Sequence, residues 1–400
     1  MLLINKLLMK QRLSFYRIYL FAGLLTLLVA FAVKAQQPTQ SKEMLRSGPP
    51  SVAVSVRVLI ENLNHPWSIA WLPNGEMLIT ERDGKLRSVS ADFKRSTLIS
   101  GLPATIFTDG QGGLFDVAIH PDYEKNGWIY LSYAERQAQG SSVSGTVLIR
   151  ARMKGDRLID IARLFGMEPK SRGSHHFGGR IVFDRKGFIY LTLGDRGDEQ
   201  RAQSPKDHAG AVIRLHDDGR IPADNPFIGN AQIPDDIFSR GHRNIQGAAI
   251  HPSSGQLWTH EHGPQGGDEI NISRAGRNYG WPTITYGVNY VIGTRIGEGT
   301  HKPGLEQPLH VWVPSIAPSG MAFYSGKAFA QWQGSLLIGA LRGQSLIRLE
   351  LEGERVVREE RFLVNQVGRI RDVRVGPDGL IYLLSDSPDG KLWRIEPVKN

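Results

Sequence analysis

The sequence contains no cysteine. No disulfide can staple the fold, and no lipoprotein cysteine follows the N-terminal segment, so the structure must rest on its core. Helical periodicity of any length is missing beyond residue 35, which leaves strands and turns as the building material. There is also no block of Lys and Arg. The formal charge of +9 comes from dispersed cations, which gives nucleic-acid binding little support and leaves a small anionic ligand open.

The first 35 residues differ in kind from the rest. Lys6, Lys10, Arg12 and Arg17 precede an apolar run from Ile18 to Val33, and Val33-Lys34-Ala35 ends it at small residues. This pattern is expected of a secretory signal peptide cleaved after Ala35. The alternative is a retained membrane anchor, since the run is only slightly short of a bilayer span. Either way the folded part lies outside the cytoplasm. The segment holds five cations (with Lys34) and no acidic residue, so the mature chain carries about +4. Residues 36–51, rich in Gln, Pro and Ser, are expected to form a flexible leader.

From residue 52 to 400 one theme repeats: a Gly-bearing turn followed by a short strand of aromatic and β-branched residues. The turns are Asn74-Gly75, Asn126-Gly127, Lys186-Gly187, Ser254-Gly255, Gln333-Gly334 and Asp378-Gly379. Several are preceded by an apolar strand ending in Pro, as in Val117-Ala118-Ile119-His120-Pro121. Strand, turn and strand make a hairpin. Six hairpins at intervals of tens of residues predict an all-β fold, a single six-bladed β-propeller with the active site at one end of its central channel. The longest interval, between Gly255 and Gly334, places the largest insertion.

Polar residues gather just outside these hairpins, most densely from Ser239 to Pro282. A strand-turn-strand does not need so much Arg, His and carboxylate around its turns. Gln111 sits in a Gly-rich turn. His175 and His176, if on a strand, point to opposite faces, so one of them suits a general base and a shared metal is disfavoured. Asp195, after the following strand, is placed to orient that ring. Arg243 and Asn244 offer a guanidinium fork and an amide. Gly263 and Pro264 offer carbonyls to a hard cation, with Asp268 and Glu269 nearby. Arg369 and Arg371 alternate, so both flank one face, where an anion or a carboxylate must neutralise them. Arg342 can join them. Together these describe a cationic channel mouth with a His-carboxylate pair and a carbonyl-rich cation site.

In these motifs the chain resembles the soluble quinoprotein aldose dehydrogenases of the glucose/sorbosone dehydrogenase family. The resemblance rests on GQGGLFDVAIHPDY, HHFGGRIVFDRKGFIYLTLGD, GHRNIQGAAIHP, EHGPQGGDEIN, NYGWP, SIAPSGMAFY and RIRDVRVGPDG, and runs from about Leu63 to Pro397. It implies pyrroloquinoline quinone (PQQ) and Ca²⁺ on a six-bladed propeller, and oxidation of an aldose at C1 to a lactone. His176 would be the base, held by Asp195. Gln111, Arg243 and Asn244 would meet the quinone, and Arg342, Arg369 and Arg371 its carboxylates. Gly263 and Pro264 would bind the catalytic Ca²⁺, and Glu269 with the Tyr279 carbonyl a second, structural one. Electrons would pass to an external acceptor, a quinone or a cytochrome. The cofactor's usual location implies a periplasmic or secreted protein, monomeric or homodimeric, free of the membrane once the signal is cleaved.

The chain departs from the glucose-oxidising members at Arg342, where they have Lys, and at His175, where they have Asp. Shorter rim loops predict broad aldose specificity. Two other functions use the same fold: a calcium-dependent lactonase, and a carbohydrate-binding propeller without catalysis.

Overall fold

A computed structural model describes residues 46–47 and 51–398; the expected signal peptide and most of the leader lie outside them. Six antiparallel units follow one another around the ring, five of four strands and one of four with a short parallel strand added at its outer edge. Their innermost strands are Pro66–Trp71, Leu114–Ile119, Gly178–Phe183, Ile245–Ile250, Pro318–Phe323 and Ile370–Val375. Each packs against the next, and the sixth packs against the first, so the ring closes. The six glycine turns each join the first and second strands of one blade. Gly75, Gly127, Gly187, Gly255, Gly334 and Gly379 all have φ between 68° and 85°, where a side chain would be strained and glycine is not. The sequence repeat is therefore the blade repeat.

Closure comes from the N-terminal side. Val54–Leu63 forms the outer strand of the sixth blade, pairing antiparallel with Gly390–Pro397. Sharing one blade between an early strand and three late ones fastens the ring, because opening it would strip Gly390–Pro397 of its outer partner. The end of the expected flexible leader is partly placed: Arg46–Ser47 runs parallel to the outer strand of the fifth blade, and the Ser51 amide donates to Glu360.

The cores lie between blades. Leu131, Val147, Leu86 and Ile99 fill one such layer, and Ile338, Ile347, Trp258 and Ile270 another. The channel itself is blocked by charge. Arg180 reaches across it to Asp116 at 3.2 Å and Asp372 at 3.1 Å. Arg374 meets the same two carboxylates at 2.9 and 2.8 Å. Two cations and two anions, all but Arg374 wholly buried, cancel one another in a setting where a lone charge would be costly. Arg180→Met would leave both carboxylates under-compensated, and is expected to cost about 3–5 kcal/mol. Calorimetry checks this; a melting temperature within a degree of wild type would show that the cluster is not needed for folding.

Candidate active site

In every one of the six inner strands the ladder slips near the same end, for instance between Pro66 and Ser68, Ile245 and Gly247, and Ile370 and Asp372. A bulge turns its side chain out of the regular alternation. Here the bulges present Trp67, Phe115, Gln246 and Arg371 to a cleft above the Arg180 cluster, whose lining also includes Arg82, Gln111, Asn244, His262, Arg369 and Asp386. Arg180 supports this lining from behind, its guanidinium 4.2 Å from the ring centre of Trp67.

His176 lies on the turn before Gly178–Phe183, not on the strand, so the expected alternation of the two histidines does not apply. Its φ of 51° is uncommon for any residue but glycine, although histidine, like asparagine and aspartate, adopts it more readily than most. The conformation is held from both sides, because the His176 amide donates to Gln111 Oε1 at 2.9 Å and its carbonyl accepts from the Arg196 amide at 3.2 Å. The ring is thereby turned toward Asp195, and Nδ1 lies 2.6 Å from Asp195 Oδ1. An Nδ1–H donated to that carboxylate leaves Nε2 with its lone pair. His175 is exposed and takes no part in the pair.

Asp195 follows the second strand of the third blade. Its amide donates to the Arg243 carbonyl at 2.8 Å, and Oδ1 also accepts from the Gly197 amide at 2.8 Å. Gly194 before it can carry no Cβ, since the His176 carbonyl occupies that space. Burial lowers the His176 pKa, outweighing the opposing pull of Asp195, so the ring is a neutral base at neutral pH. Burial would raise Asp195, but His176, Arg243 and the Gly197 amide together bring it below the ordinary carboxylate value.

Arg369 and Arg371 do share a face. Asp386 stands between them, Oδ2 at 3.3 Å from each guanidinium, and Oδ1 meets His65 Nδ1 at 2.7 Å. Despite burial, Arg371 and His65 hold Asp386 far below its usual pKa. One carboxylate thus faces three arginines, counting Arg82. Arg342 is not brought in: its side chain is exposed, and its neighbour Leu341 lines the cleft instead.

Arg243 reaches the carbonyl corner. Its Nη1 donates to Gly263 O at 2.8 Å and His262 O at 3.2 Å, while Nε is buried without a partner. Asn244 Oδ1 accepts from the Gly178 amide and from Gln246 Nε2. Asp268 is no free oxygen ligand. Its Oδ1 accepts from the Gly263 amide and Ser315 Oγ at 2.9 and 3.0 Å, and its Oδ2 from the Ile316 and Ala317 amides, both at 2.8 Å. It shapes the corner rather than binding at it. The insertion after the third strand of the fourth blade closes over this corner, where Gln265 and Val288 exchange backbone hydrogen bonds.

Glu269 lies apart, on the third strand of that blade. Asn271 Nδ2 bridges Glu269 Oε1 at 2.9 Å and Glu261 Oε1 at 3.2 Å, while Asn271 Oδ1 is buried and unpaired. Burial, then the neighbouring Glu261, push the Glu269 pKa up to about 8. Tyr279 stacks on His242 with ring centres 4.4 Å apart, and His242 meets Glu261 at 2.7 Å. Among the described residues no three of His, Cys, Asp and Glu converge as a ready metal cluster, so a cation held here needs main-chain oxygens.

Sequence reasoning missed Arg82, Trp67, Gln246, His262, Asp386 and Glu261. Gln246 and Glu261 sat in view beside Arg243 and Gly263; Arg82 and Asp386 lie in ordinary-looking turns and carried no signal.

Fold and site together define a propeller enzyme of the sugar-dehydrogenase class. The chain belongs to the Glucose / Sorbosone dehydrogenase family, which it matches over residues 63–394. It is 44% identical over 349 residues to the aldose sugar dehydrogenase YliI of Escherichia coli, covering 86% of this chain and 93% of that one. The crystal structure of the soluble aldose sugar dehydrogenase from E. coli in its apo form superposes with a TM-score of 0.83 at 43% identity, over 86% of this chain and all of that one. The PQQ-bound aldose sugar dehydrogenase of Streptomyces coelicolor gives 0.69 at 27% identity, over 87% and 100%.

Proposed function

We propose that this enzyme oxidises the C1 hydroxyl of aldose sugars to the lactone with PQQ and Ca²⁺ in the cleft, in the periplasm or outside the cell. The observation that carries the reading is the His176–Asp195 pair at 2.6 Å, tied to Arg243 through the Asp195 amide; Phe177 and Asn244, next in the chain to His176 and Arg243, line the arginine-rich cleft.

The residues present fit the cofactor. Trp67, Phe115 and Phe177 offer flat walls, and three arginines against one carboxylate leave an excess of positive charge for a polyanion. The unpaired Arg243 Nε adds a donor. Arg82, Arg369 and Arg371 would hold the carboxylates; Gln111, Asn244 and Arg243 would lie along the quinone; Gly263 and Pro264 would give their carbonyls to Ca²⁺. Bound there, the quinone with its Ca²⁺ supplies the acceptor for the C1 hydride and the route by which electrons leave to an external quinone or cytochrome.

The chain's own part is proton transfer and placement. His176 Nε2 takes the proton of the C1 hydroxyl as C1 gives up its hydride and becomes a carbonyl. Asp195 keeps Nδ1 protonated, fixes the ring, and stabilises the imidazolium that results. Arg243, fixed on the Gly263 carbonyl, places positive charge where negative charge develops on the acceptor. Because burial keeps His176 neutral, activity should rise through a pKa below the usual imidazole value and hold at neutral pH.

A lactonase would want carboxylates free to bind a metal in the channel. Asp116 and Asp372 are instead taken up by Arg180 and Arg374, which favours the dehydrogenase. A dye-linked oxidation assay on a panel of aldoses, with and without PQQ and Ca²⁺, tests the reading. Turnover that needs both supports it; no turnover and no cofactor bound by absorbance would refute it.

The Glu269–Glu261 pair supports a second, structural Ca²⁺ with the Tyr279 carbonyl. A glutamate whose folded pKa is raised adds most stability below its unfolded value, about 4.3, and that contribution is lost as pH rises through about 8. The melting temperature of metal-free protein should therefore fall between pH 5 and 8. Ca²⁺ should restore it by several degrees, more at pH 8 than at pH 6, because ligation needs the ionised group. A Ca²⁺ effect of equal size at both values would remove this assignment.

A further inference from the structure

Trp281 lies in the Gly-Trp-Pro motif that closes the residue-dense stretch, and none of the chemistry above uses it. Its indole N–H donates to Asp195 Oδ2 at 2.8 Å. The other oxygen of that carboxylate is already shared by His176 Nδ1 at 2.6 Å and the Gly197 amide at 2.8 Å. With a donor on each oxygen, Asp195 cannot turn about its Cβ–Cγ bond without breaking a buried charge-assisted hydrogen bond. The indole also faces Arg243, whose guanidinium carbon is 5.3 Å from the ring centre. One side chain therefore touches both the carboxylate that orients the base and the arginine beside it.

Trp281 is itself held firmly. Its amide donates to Gly241 O at 2.9 Å, and its carbonyl accepts from Gln203 Nε2 at 2.7 Å. The ring packs with Ala202 and Ile296, and the residue is 7% exposed. Gln203 in turn exchanges hydrogen bonds with Asn278 at 3.0 and 2.8 Å. The loop between the second and third strands of the third blade, the loop after that blade and the insertion of the fourth are thus pinned together at the residue that reaches Asp195.

We propose that Trp281 is a positioning residue for proton transfer: by donating to Asp195 Oδ2 it fixes the carboxylate that aims His176 Nε2 at the substrate, and it ties that pair to Arg243. The proposal rests on His176 being the base. A buried tryptophan that only filled space would be replaced nearly as well by phenylalanine. What phenylalanine lacks is the donor. The groups facing His176 are Asp195, Arg243 and His175, and those facing Asp195 are His176, Arg243 and the Gly197 amide. With the indole N–H gone, these keep Asp195 ionised, and more of its charge falls on His176, stabilising the imidazolium.

The test compares wild type with Trp281→Phe, full chain, in two ways. In cofactor-free protein with ¹⁵N-labelled histidine, the His176 titration, identified by its loss in His176→Gln, should move up by about half to one pH unit. In protein loaded with PQQ and Ca²⁺, the acid limb of kcat for an aldose should move up by the same amount, with KM within about twofold. A folded Trp281→Phe in which neither moves overturns the proposal. Should that variant not fold, wild type decides. One of the eight tryptophan indole N–H resonances must titrate together with His176 and lose that dependence in Asp195→Asn; if none does, the proposal fails. Turnover within about tenfold of wild type in His176→Gln would refute the base assignment, a separate result from an unmoved titration.

Discussion

Replacing His176 with Gln is expected to lower kcat for aldose oxidation by about 10²–10⁴-fold, the range for loss of a positioned general base. Gln can take up the hydrogen bond to Asp195, so the cleft should keep its shape and PQQ should still bind. The measurement is dye-linked turnover alongside cofactor binding followed by absorbance. Asp195→Asn should be less damaging, because Nε2 remains but its tautomer and the charge behind it are disturbed. The double variant should be little worse than His176→Gln, since both act through one group. Turnover within tenfold of wild type in His176→Gln would move the base elsewhere.

Asp268→Ala should be the most disruptive change at the cation corner. The carboxylate is buried and accepts from three backbone amides and the Ser315 hydroxyl. Each buried donor left without a partner costs about 1–3 kcal/mol, so the total sits in the far tail of single substitutions, about 4 kcal/mol or more. A fall in melting temperature on the order of 5–10 °C is expected by calorimetry. The Gly263 and Pro264 carbonyls would lose their fixed direction, and Ca²⁺-dependent activity should fall more steeply than stability. If Ca²⁺ affinity by calorimetric titration stayed within twofold, Asp268 would be shown to hold the fold without shaping the corner.

The two residues make the same point in different ways. His176 was legible because histidine with a carboxylate downstream of the next strand is a chemical pattern. Asp268 was also visible, but as a free oxygen ligand, and its role was inverted: a carboxylate's function depends on what surrounds it. Four donors arrive from residues 263 and 315–317, and no linear reading could supply the second group. Arg342 failed for the opposite reason. Its chemistry suited the site, yet the turn after the second strand of the fifth blade points it to solvent while Leu341 faces the cleft. Arg82, which does line the cleft, had nothing near it in sequence to mark it out.

What the sequence by itself determined is the blade. Alternating apolar strands and six glycine turns are local features, fixed by side-chain period and by the positive φ that only glycine adopts without strain. Their number set the ring, and the family motifs named most of the polar groups in it. What only the tertiary structure decided is which of those groups meet. Arg180 with Asp116 and Asp372, His65 with Asp386, Gln246 with Arg371, and Trp281 on Asp195 all join residues from different blades or from distant parts of the chain. Closing the ring brings them within hydrogen-bonding distance in a buried setting, where a charge without a partner is costly and the pairing itself selects the geometry.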